Sequence, residues 1–109
     1  MEKKYEIVKE EPVIWGSHTL YRIKALKDFA SGKVKKGDLG GFIESENNLS
    51  QEGNSWIFGD ARVFDDAEVC RNAEVYGSAK VHDDAEIYGN ARVFGDAEIY
   101  GNAKIWGNA

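Results

Sequence analysis

The sequence predicts an all-β solenoid preceded by a small β-rich cap, and three observations lead to this prediction. From residue 56 to residue 109 the chain divides without a gap into nine six-residue units, from WIFGDA to KIWGNA. The second position of every unit is Val or Ile, and the sixth is always Ala. The residues at the second position are Ile57, Val63, Val69, Val75, Val81, Ile87, Val93, Ile99 and Ile105.

Each unit is expected to form a short strand followed by a corner. Six residues turn an α-helix through about 600°, so a helix cannot keep the repeated positions on one face. In a strand the β-branched side chain points inward and its two neighbours point outward. Gly, Asn and Asp suit the corner because they tolerate positive φ, and Ala fits where the chain bends inward. One unit buries little apolar surface, so the coils must stack.

The pairing of an aliphatic residue with a small one four positions later, as in Val63 with Ala67, resembles the hexapeptide-repeat proteins. This resemblance implies a left-handed parallel β-helix with three hexapeptides per coil, and therefore about three coils in the nine units. The segment 64–69 recurs with close similarity at 82–87, which supports a coil of 18 residues. The position after the aliphatic residue is mostly aromatic, and this variant with Tyr-Gly-Asn-Ala units looks like uncharacterised bacterial and bacteriophage proteins.

Residues 1–48 lack the repeat and are predicted to cap the solenoid, which is assigned to residues 49–109. Without a cap, the first coil would leave backbone groups and apolar side chains in water. Apolar runs separated by turn residues predict three strands in the cap region, over residues 4–8, 19–26 and 41–45. The spacing of Ile43, Leu49 and Ile57 predicts an irregular starting coil with a two-residue insertion.

The composition indicates a folded intracellular chain. Hydrophobic residues make up 42% and charged residues 30% of the 109 residues, which is too apolar for a disordered chain. Cys70 is the only cysteine, so no internal disulfide can form. The charged N-terminus does not resemble a signal peptide, and a cytoplasmic location is therefore expected.

The formal net charge of -5 lies in the second half of the chain. Residues 1–55 hold nine basic and nine acidic residues, whereas residues 56–109 hold five basic and ten acidic residues. A surface rich in carboxylates repels a polyanion, so nucleic acid is not expected as a direct ligand. Such a surface can attract a protein with a basic cleft.

Stacking on an 18-residue coil predicts one corner rich in carboxylates. Six carboxylates are expected there, from Asp65, Asp66, Glu68, Asp83, Asp84 and Glu86. Like charges at strand spacing repel each other, so a cation or a basic partner would relieve the cost. Three interpretations stay open: solvated turn residues, a Ca or Mg site, or a surface that imitates a phosphate backbone.

The outward aromatic positions are expected to form three columns. These are Phe58, Tyr76 and Phe94; Phe64, His82 and Tyr100; and Cys70, Tyr88 and Trp106. Rings stacked between coils stabilise the ladder, and exposed aromatic stripes also serve interfaces. We therefore assign His82 and Tyr88, with the six carboxylates, to the expected partner-binding surface.

The last unit ends at Ala109, so the final coil is expected to present an unpaired edge. An unpaired edge favours self-association, with a dimer as the first expectation and a trimer as the second. The residues expected to carry this contact are Ile99, Tyr100, Ile105 and Trp106.

The hexapeptide-repeat resemblance also raises the question of catalysis. The best-known members are acyltransferases, which use a histidine base near a subunit boundary, and some relatives are zinc carbonic anhydrases. The histidines of this chain are His18 and His82, and His82 is the one in the repeat region. One repeat region therefore does not hold enough histidines for a three-histidine zinc site. We therefore assign no catalytic residue, no cofactor and no metal ligand from the sequence, and take Cys70 as a spare thiol.

Two functional hypotheses follow. The preferred one is a non-catalytic interaction protein that binds a partner with a basic nucleic-acid-binding groove. A phage-encoded inhibitor of a host defence nuclease would act in this way, as anti-CRISPR proteins do. The alternative is a small acyltransferase-like enzyme of the hexapeptide-repeat family that uses His82. Charge reversal at Asp65, Asp66, Asp83 and Asp84 should weaken binding under the first hypothesis, whereas His82→Ala should matter only under the second.

Overall fold

The repeat region winds into a parallel β-solenoid, and an antiparallel hairpin extends one of its sheets. These elements come from a computed structural model that describes residues 3–107. In the N-terminal part, β1 spans Tyr5–Trp15, β2 spans His18–Ala25 and β3 spans Leu39–Ile43, with short 3-10 turns at Ala30–Gly32 and Glu46–Asn48. The predicted positions of the three cap strands are confirmed, although β1 is longer than expected because the hairpin continues to the turn at Gly16.

Nine two-residue strands follow, one in each hexapeptide unit. They are β4 (Trp56–Ile57), β5 (Arg62–Val63), β6 (Glu68–Val69), β7 (Glu74–Val75), β8 (Lys80–Val81), β9 (Glu86–Ile87), β10 (Arg92–Val93), β11 (Glu98–Ile99) and β12 (Lys104–Ile105). Every third strand pairs in parallel, as in Val63 with Val81 and Val81 with Ile99. The 18-residue coil is thereby confirmed.

The strands form three sheets. One sheet has the order β1-β2-β3-β5-β8-β11, and the two others have the orders β4-β7-β10 and β6-β9-β12. In the first sheet, β3 pairs antiparallel with β2 and parallel with β5, so the cap hairpin and the solenoid share one continuous sheet. The domain boundary between residues 48 and 49 stays a prediction.

The solenoid makes about four turns, one more than the three predicted from the nine repeats. Two sides of the first coil come from residues that precede the regular repeat, and the third comes from the first repeat unit. Ile43 is in register with Val63, Leu49 forms a bridge with Val69, and Ile57 is in register with Val75. The three residues predicted to start the coil irregularly thus build a full first turn.

The corners explain the choice of Gly and Asp in the fourth position of each unit. That position has a positive φ throughout, at Gly59, Asp65, Arg71, Gly77, Asp83, Gly89, Gly95, Gly101 and Gly107. Glycine adopts this backbone without steric cost, and Asp tolerates it better than most residues. The fourth position therefore holds glycine in most units and aspartate in two, Asp65 and Asp83.

The interior is a narrow apolar column. The inward Val and Ile residues from Ile57 to Ile87 and the Ala residues from Ala61 to Ala91 are fully buried. Tyr5 and Ile23 of the cap close this column together with Leu49 and Trp56 of the first coil, and all four are buried. No helix within residues 3–107 has the length and the apolar composition that crossing a membrane requires.

The β1–β2 hairpin also covers one aromatic column from outside. Phe64 is only 5% exposed because Trp15 contacts it edge-on at 5.2 Å between ring centroids. Leu20 and Phe42 complete this second, smaller apolar cluster. The column that begins at Phe64 is therefore buried at its first ring and exposed at its last, Tyr100.

Candidate functional site

The four predicted corner aspartates lie together in one open groove. Its lining consists of Glu44, Asp65, Asp66, Asp83, Asp84, Gly101 and Asn102. The aspartates come from the corners that follow β5 and β8, and Gly101 and Asn102 occupy the same corner one coil later. Glu44, which follows β3, adds a fifth carboxylate that the sequence analysis did not include.

A ladder of backbone hydrogen bonds holds these carboxylates in place. The Asp65 N–H donates to Glu44 Oε1 at 2.8 Å, and the Asp83 N–H donates to Asp65 Oδ2 at 3.1 Å. The Gly101 N–H donates to Asp83 Oδ2 at 3.0 Å. In this row of corners, each corner N–H is thus paired with the carboxylate of the preceding coil, which holds that carboxylate in place. The bond from Gly101, with a second from His82, lowers the pKa of Asp83 below its ordinary value.

Both histidines contact the second oxygen of these carboxylates. His18 Nδ1 lies 3.1 Å from Glu44 Oε2, and His18 Nε2 lies 3.5 Å from Asp65 Oδ1. His82 Nδ1 lies 3.2 Å from Asp83 Oδ1, and His82 Nε2 lies 3.0 Å from Glu98 Oε2. Within residues 3–107, every ion pair of Glu44, Asp65 and Asp83 is with a histidine.

The histidine rings also belong to the central aromatic column. His82 stacks on Phe64 at 4.9 Å with an interplanar angle of 6°, and on Tyr100 at 5.7 Å with an angle of 13°. His18 lies on the other side of Phe64 at 4.8 Å. The column and the acidic ladder therefore run side by side up the solenoid, joined by the two imidazoles.

The other two columns have the composition expected from the sequence. Tyr76 contacts Phe58 edge-on at 6.4 Å and stacks on Phe94 at 5.5 Å. Tyr88 stacks on Trp106 at 6.4 Å. Because all these rings lie outside the coil, they stabilise the stack of coils without filling its narrow interior.

The two predicted glutamates lie on a different face from the aspartates. Glu68 and Glu86 are in register on β6 and β9, beside Cys70, Arg71 and Tyr88. The expected single corner of six carboxylates is therefore divided into two surfaces, because the inward Ala67 and Ala85 end each corner before the next strand begins. On this second surface, burial raises the pKa of the Cys70 thiol, which makes it a poor nucleophile.

The last coil exposes the four residues expected to mediate self-association. Tyr100 is 60% and Trp106 62% exposed, while Ile99 and Ile105 are half-buried. Within the part of the chain that the structure describes, β10, β11 and β12 each have a strand neighbour on one side only. The predicted end at Ala109 lies outside the described residues.

Glu44 and its partner His18 were not predicted from the sequence as site residues, and neither was Asn48, which holds the segment after β3. The buried Asn48 side chain accepts the N–H groups of Glu44 and Ser45, both at 2.9 Å, and donates to Ala67 O at 2.9 Å. This fixes the segment after β3 above the first corner. One signal was available: Glu44 follows the inward Ile43, at the position that holds an aromatic ring in most later units.

Comparison with known families agrees with the solenoid. Residues 85–101 match the family model described as the YdcK β-solenoid repeat. These residues run from the corner after β8 to the corner after β11, which is about one coil. A comparison with curated proteins found no match. The match supports a β-solenoid repeat fold of the hexapeptide kind, and the bacterial and phage likeness remains an expectation from the sequence.

Proposed function

We propose that this protein is a non-catalytic interaction module whose acidic groove docks a basic segment of a protein partner. One observation carries the proposal: five carboxylates line a single open groove, and within the described residues the pairs of Glu44, Asp65 and Asp83 are all with histidines. Lys and Arg side chains elsewhere pair with other acids, as in Arg22 with Asp60 and Lys33 with Glu74. The groove thus offers negative charge that a basic partner can neutralise.

The hydrogen-bond ladder holds the carboxylates in fixed positions, so the groove can select a partner by geometry as well as attract it by charge. Backbone N–H groups fix the Asp65 and Asp83 carboxylates, so a partner does not have to order them on binding. Their spacing along the coil axis is roughly 4.8 Å, the distance between paired strands. A guanidinium group binds such oxygens in a bidentate manner, which favours arginine in the partner segment.

A finer form of the proposal concerns the kind of partner. A regular row of fixed negative charges competes with a phosphate backbone for a basic groove, so the partner class we propose is a nucleic-acid-binding protein. A phage-encoded inhibitor of a host defence nuclease would act in this way. His82 borders the groove, and Glu68, Glu86 and Tyr88 extend the proposed contact onto the neighbouring face.

The proposal is tested by capturing binding proteins from a cell lysate with three baits: the wild type, a groove variant and a control variant. The groove variant carries Asp65→Asn, Asp66→Asn, Asp83→Asn and Asp84→Asn. Asparagine tolerates positive φ and retains the acceptor oxygen of the ladder, so the fold is kept while four charges are lost. The control variant changes four exposed carboxylates elsewhere, with Glu6→Gln, Glu10→Gln, Glu52→Gln and Asp96→Asn.

Both variants change the formal net charge of -5 by the same amount. We expect a basic protein to be retained by the wild type and the control, to be lost from the groove variant, and to dissociate as salt rises. Added nucleic acid should then compete with the bait for that protein. Equal retention by all three baits, or retention that salt and nucleic acid leave unchanged, would contradict the proposal.

The transferase alternative depends on His82 acting as a base. The contact of His82 Nε2 with Glu98 Oε2 at 3.0 Å is compatible with that role, while stacking between two rings favours a structural one. His82→Phe keeps the column and removes the base. Acyl transfer by the wild type that disappears in His82→Phe would favour the alternative over the interaction module.

A further inference from the structure

We propose that His18, Glu44 and Asp65 form a binding site for a zinc-class divalent ion at the junction of the cap and the solenoid. One ligand atom from each of these residues lies within 4.8 Å of the other two. The site shares Glu44 and Asp65 with the proposed docking groove. Its test uses the purified chain and the metal alone, so the two proposals can fail separately. The site differs from the Ca or Mg site considered from the sequence, because an imidazole now joins the carboxylates.

The donor set determines the class of ion. An imidazole nitrogen suits zinc and its first-row neighbours, whereas calcium and magnesium prefer oxygen ligands throughout. Three protein donors with one position left for water are a common zinc arrangement. Tetrahedral coordination at the usual bond lengths separates donors by about 3.4 Å. The 3.1 Å between His18 Nδ1 and Glu44 Oε2 is already close to that spacing.

The carboxylates are held for binding by hydrogen bonds that leave one oxygen of each directed at His18. Glu44 Oε1 accepts the Asp65 N–H, while Glu44 Oε2 faces the imidazole. Asp65 Oδ2 accepts the Asp83 N–H, while Asp65 Oδ1 lies 3.5 Å from the other ring nitrogen, Nε2. The Asp65 or the His18 side chain must therefore turn for both carboxylates to share one ion with a single imidazole nitrogen. Outer hydrogen bonds of this kind orient metal ligands and tune their affinity.

The three donors come from separate parts of the chain. His18 begins β2, Glu44 follows β3, and Asp65 is the corner residue after β5. All three side chains are partly buried, with exposures of 26%, 31% and 31%. An ion bound there would connect the cap hairpin to the first two coils, so binding should raise the thermal stability of the folded chain.

A second cluster, formed by Asp65, His82 and Asp83, provides an internal control. It is a poorer site, because Asp83 is 48% exposed and His82 Nε2 is already engaged by Glu98. The contact from His82 Nδ1 to Asp65 Oδ2 is also longer, at 3.9 Å. We therefore assign the ion to the His18 cluster and expect changes at His82 to leave it in place.

Calorimetric titration of the full chain with Zn²⁺ tests the assignment. We expect one ion per chain, with Mg²⁺ and Ca²⁺ failing to compete. His18→Phe should abolish binding while the ring contact with Phe64 is kept. Glu44→Gln and Asp65→Asn should each weaken binding about tenfold or more, since both retain the backbone hydrogen bond and lose the charge. His82→Phe and Asp83→Asn should bind as the wild type does.

Several outcomes would overturn the assignment. They are no heat of zinc binding by the wild type, binding that survives His18→Phe, or binding that His82→Phe removes. Equal affinity for Mg²⁺ would indicate a general acidic surface and would also contradict it. Thermal denaturation with and without Zn²⁺ separates folding effects from ligand effects, because a folded variant that lacks the site shows no zinc-dependent rise in Tm.

Discussion

Lys4 is a basic residue in a buried environment. Its side chain is fully buried, donates to Ser55 O at 2.8 Å and to Ser55 Oγ at 3.2 Å, and lies 5.1 Å from the centre of the Phe29 ring. Burial, with a smaller contribution from Lys27, lowers its pKa from 10.5 to about 8. The neighbouring Tyr5 is buried too, and its pKa is raised above the ordinary value.

These two shifts predict a stability maximum in alkaline solution. Between pH 8 and pH 10.5 the unfolded chain holds a proton on Lys4 that the folded chain has released, so stability rises with pH by about 3 kcal/mol over that window. Above pH 10 the unfolded chain loses the Tyr5 proton and the folded chain keeps it, so stability falls. Urea denaturation across this range measures both effects. Lys4→Met should remove the rise and Tyr5→Phe the fall, and an unchanged profile in Lys4→Met would refute the assignment to Lys4.

Substitutions at two glycines distinguish the cost of steric crowding from the cost of a left-handed backbone conformation. A Cβ on Gly41 would lie 2.5 Å from Ala61 O and 2.5 Å from Ile57 Cγ2, inside the first coil. Gly95 has φ +65 and open space around it. Gly95→Ala should cost about 1 kcal/mol for the left-handed backbone, and Gly41→Ala about 3 kcal/mol for overpacking. Chemical denaturation compares them, and equal costs would show that the first coil can expand.

Among the structural elements, two of the aromatic columns show how neighbours change the role of a repeated position. Phe64 and Phe94 occupy the same place in their hexapeptides, yet Phe64 is 5% and Phe94 58% exposed. Phe64 begins the central column, where the β1–β2 hairpin places Trp15 and His18 against it and His82 stacks on it. Phe94 is the last ring of another column, where it contacts Tyr76.

We predict correspondingly different costs of truncation. Phe64→Ala removes a buried ring and should cost about 3 kcal/mol or more, whereas Phe94→Ala should cost less than about 1 kcal/mol. Denaturation midpoints of the two variants test this directly. If Phe94→Ala were the more destabilising change, the hairpin would not be packed as described.

The strands and coils also show which features can be predicted from the sequence and which cannot. The invariant Ala and β-branched positions determined the strands, the register and the aromatic columns, since these follow from a fixed period. The first coil was underestimated because its residues, from Ile43 to Ile57, do not keep that period. His18 and Glu44 could not be brought together from sequence, because their contact depends on how the hairpin folds over the first corner.

At the scale of the whole molecule, the two ends of the solenoid differ within residues 3–107. The hairpin and the Tyr5–Trp56 cluster cover the first coil, while Tyr100 and Trp106 are mostly exposed on the last. A row of unpaired strand edges favours pairing with another chain. We therefore predict that the chain forms dimers through this end.

Analytical ultracentrifugation of the wild type and of Ile105→Lys tests that prediction. Ile105 is half-buried on β12 and packs against the core column, so a charge there should disorder the last coil together with its edge. Circular dichroism of the variant checks that the coils below keep their fold. The wild type should sediment as a dimer and the variant as a monomer. A monomeric wild type, or a dimer that the substitution leaves intact, would rule out this interface.

The central claim of the account is that the aspartate groove is a docking surface for basic chemistry. The most direct test is a two-dimensional NMR titration of the labelled chain with an oligo-arginine peptide at low and at moderate salt. We predict chemical-shift changes concentrated at the amides of Asp65, Asp66, Asp83, Asp84 and Gly101, reduced by salt and absent from the four-Asn groove variant. Shifts spread evenly over all acidic faces, or retained in that variant, would contradict it.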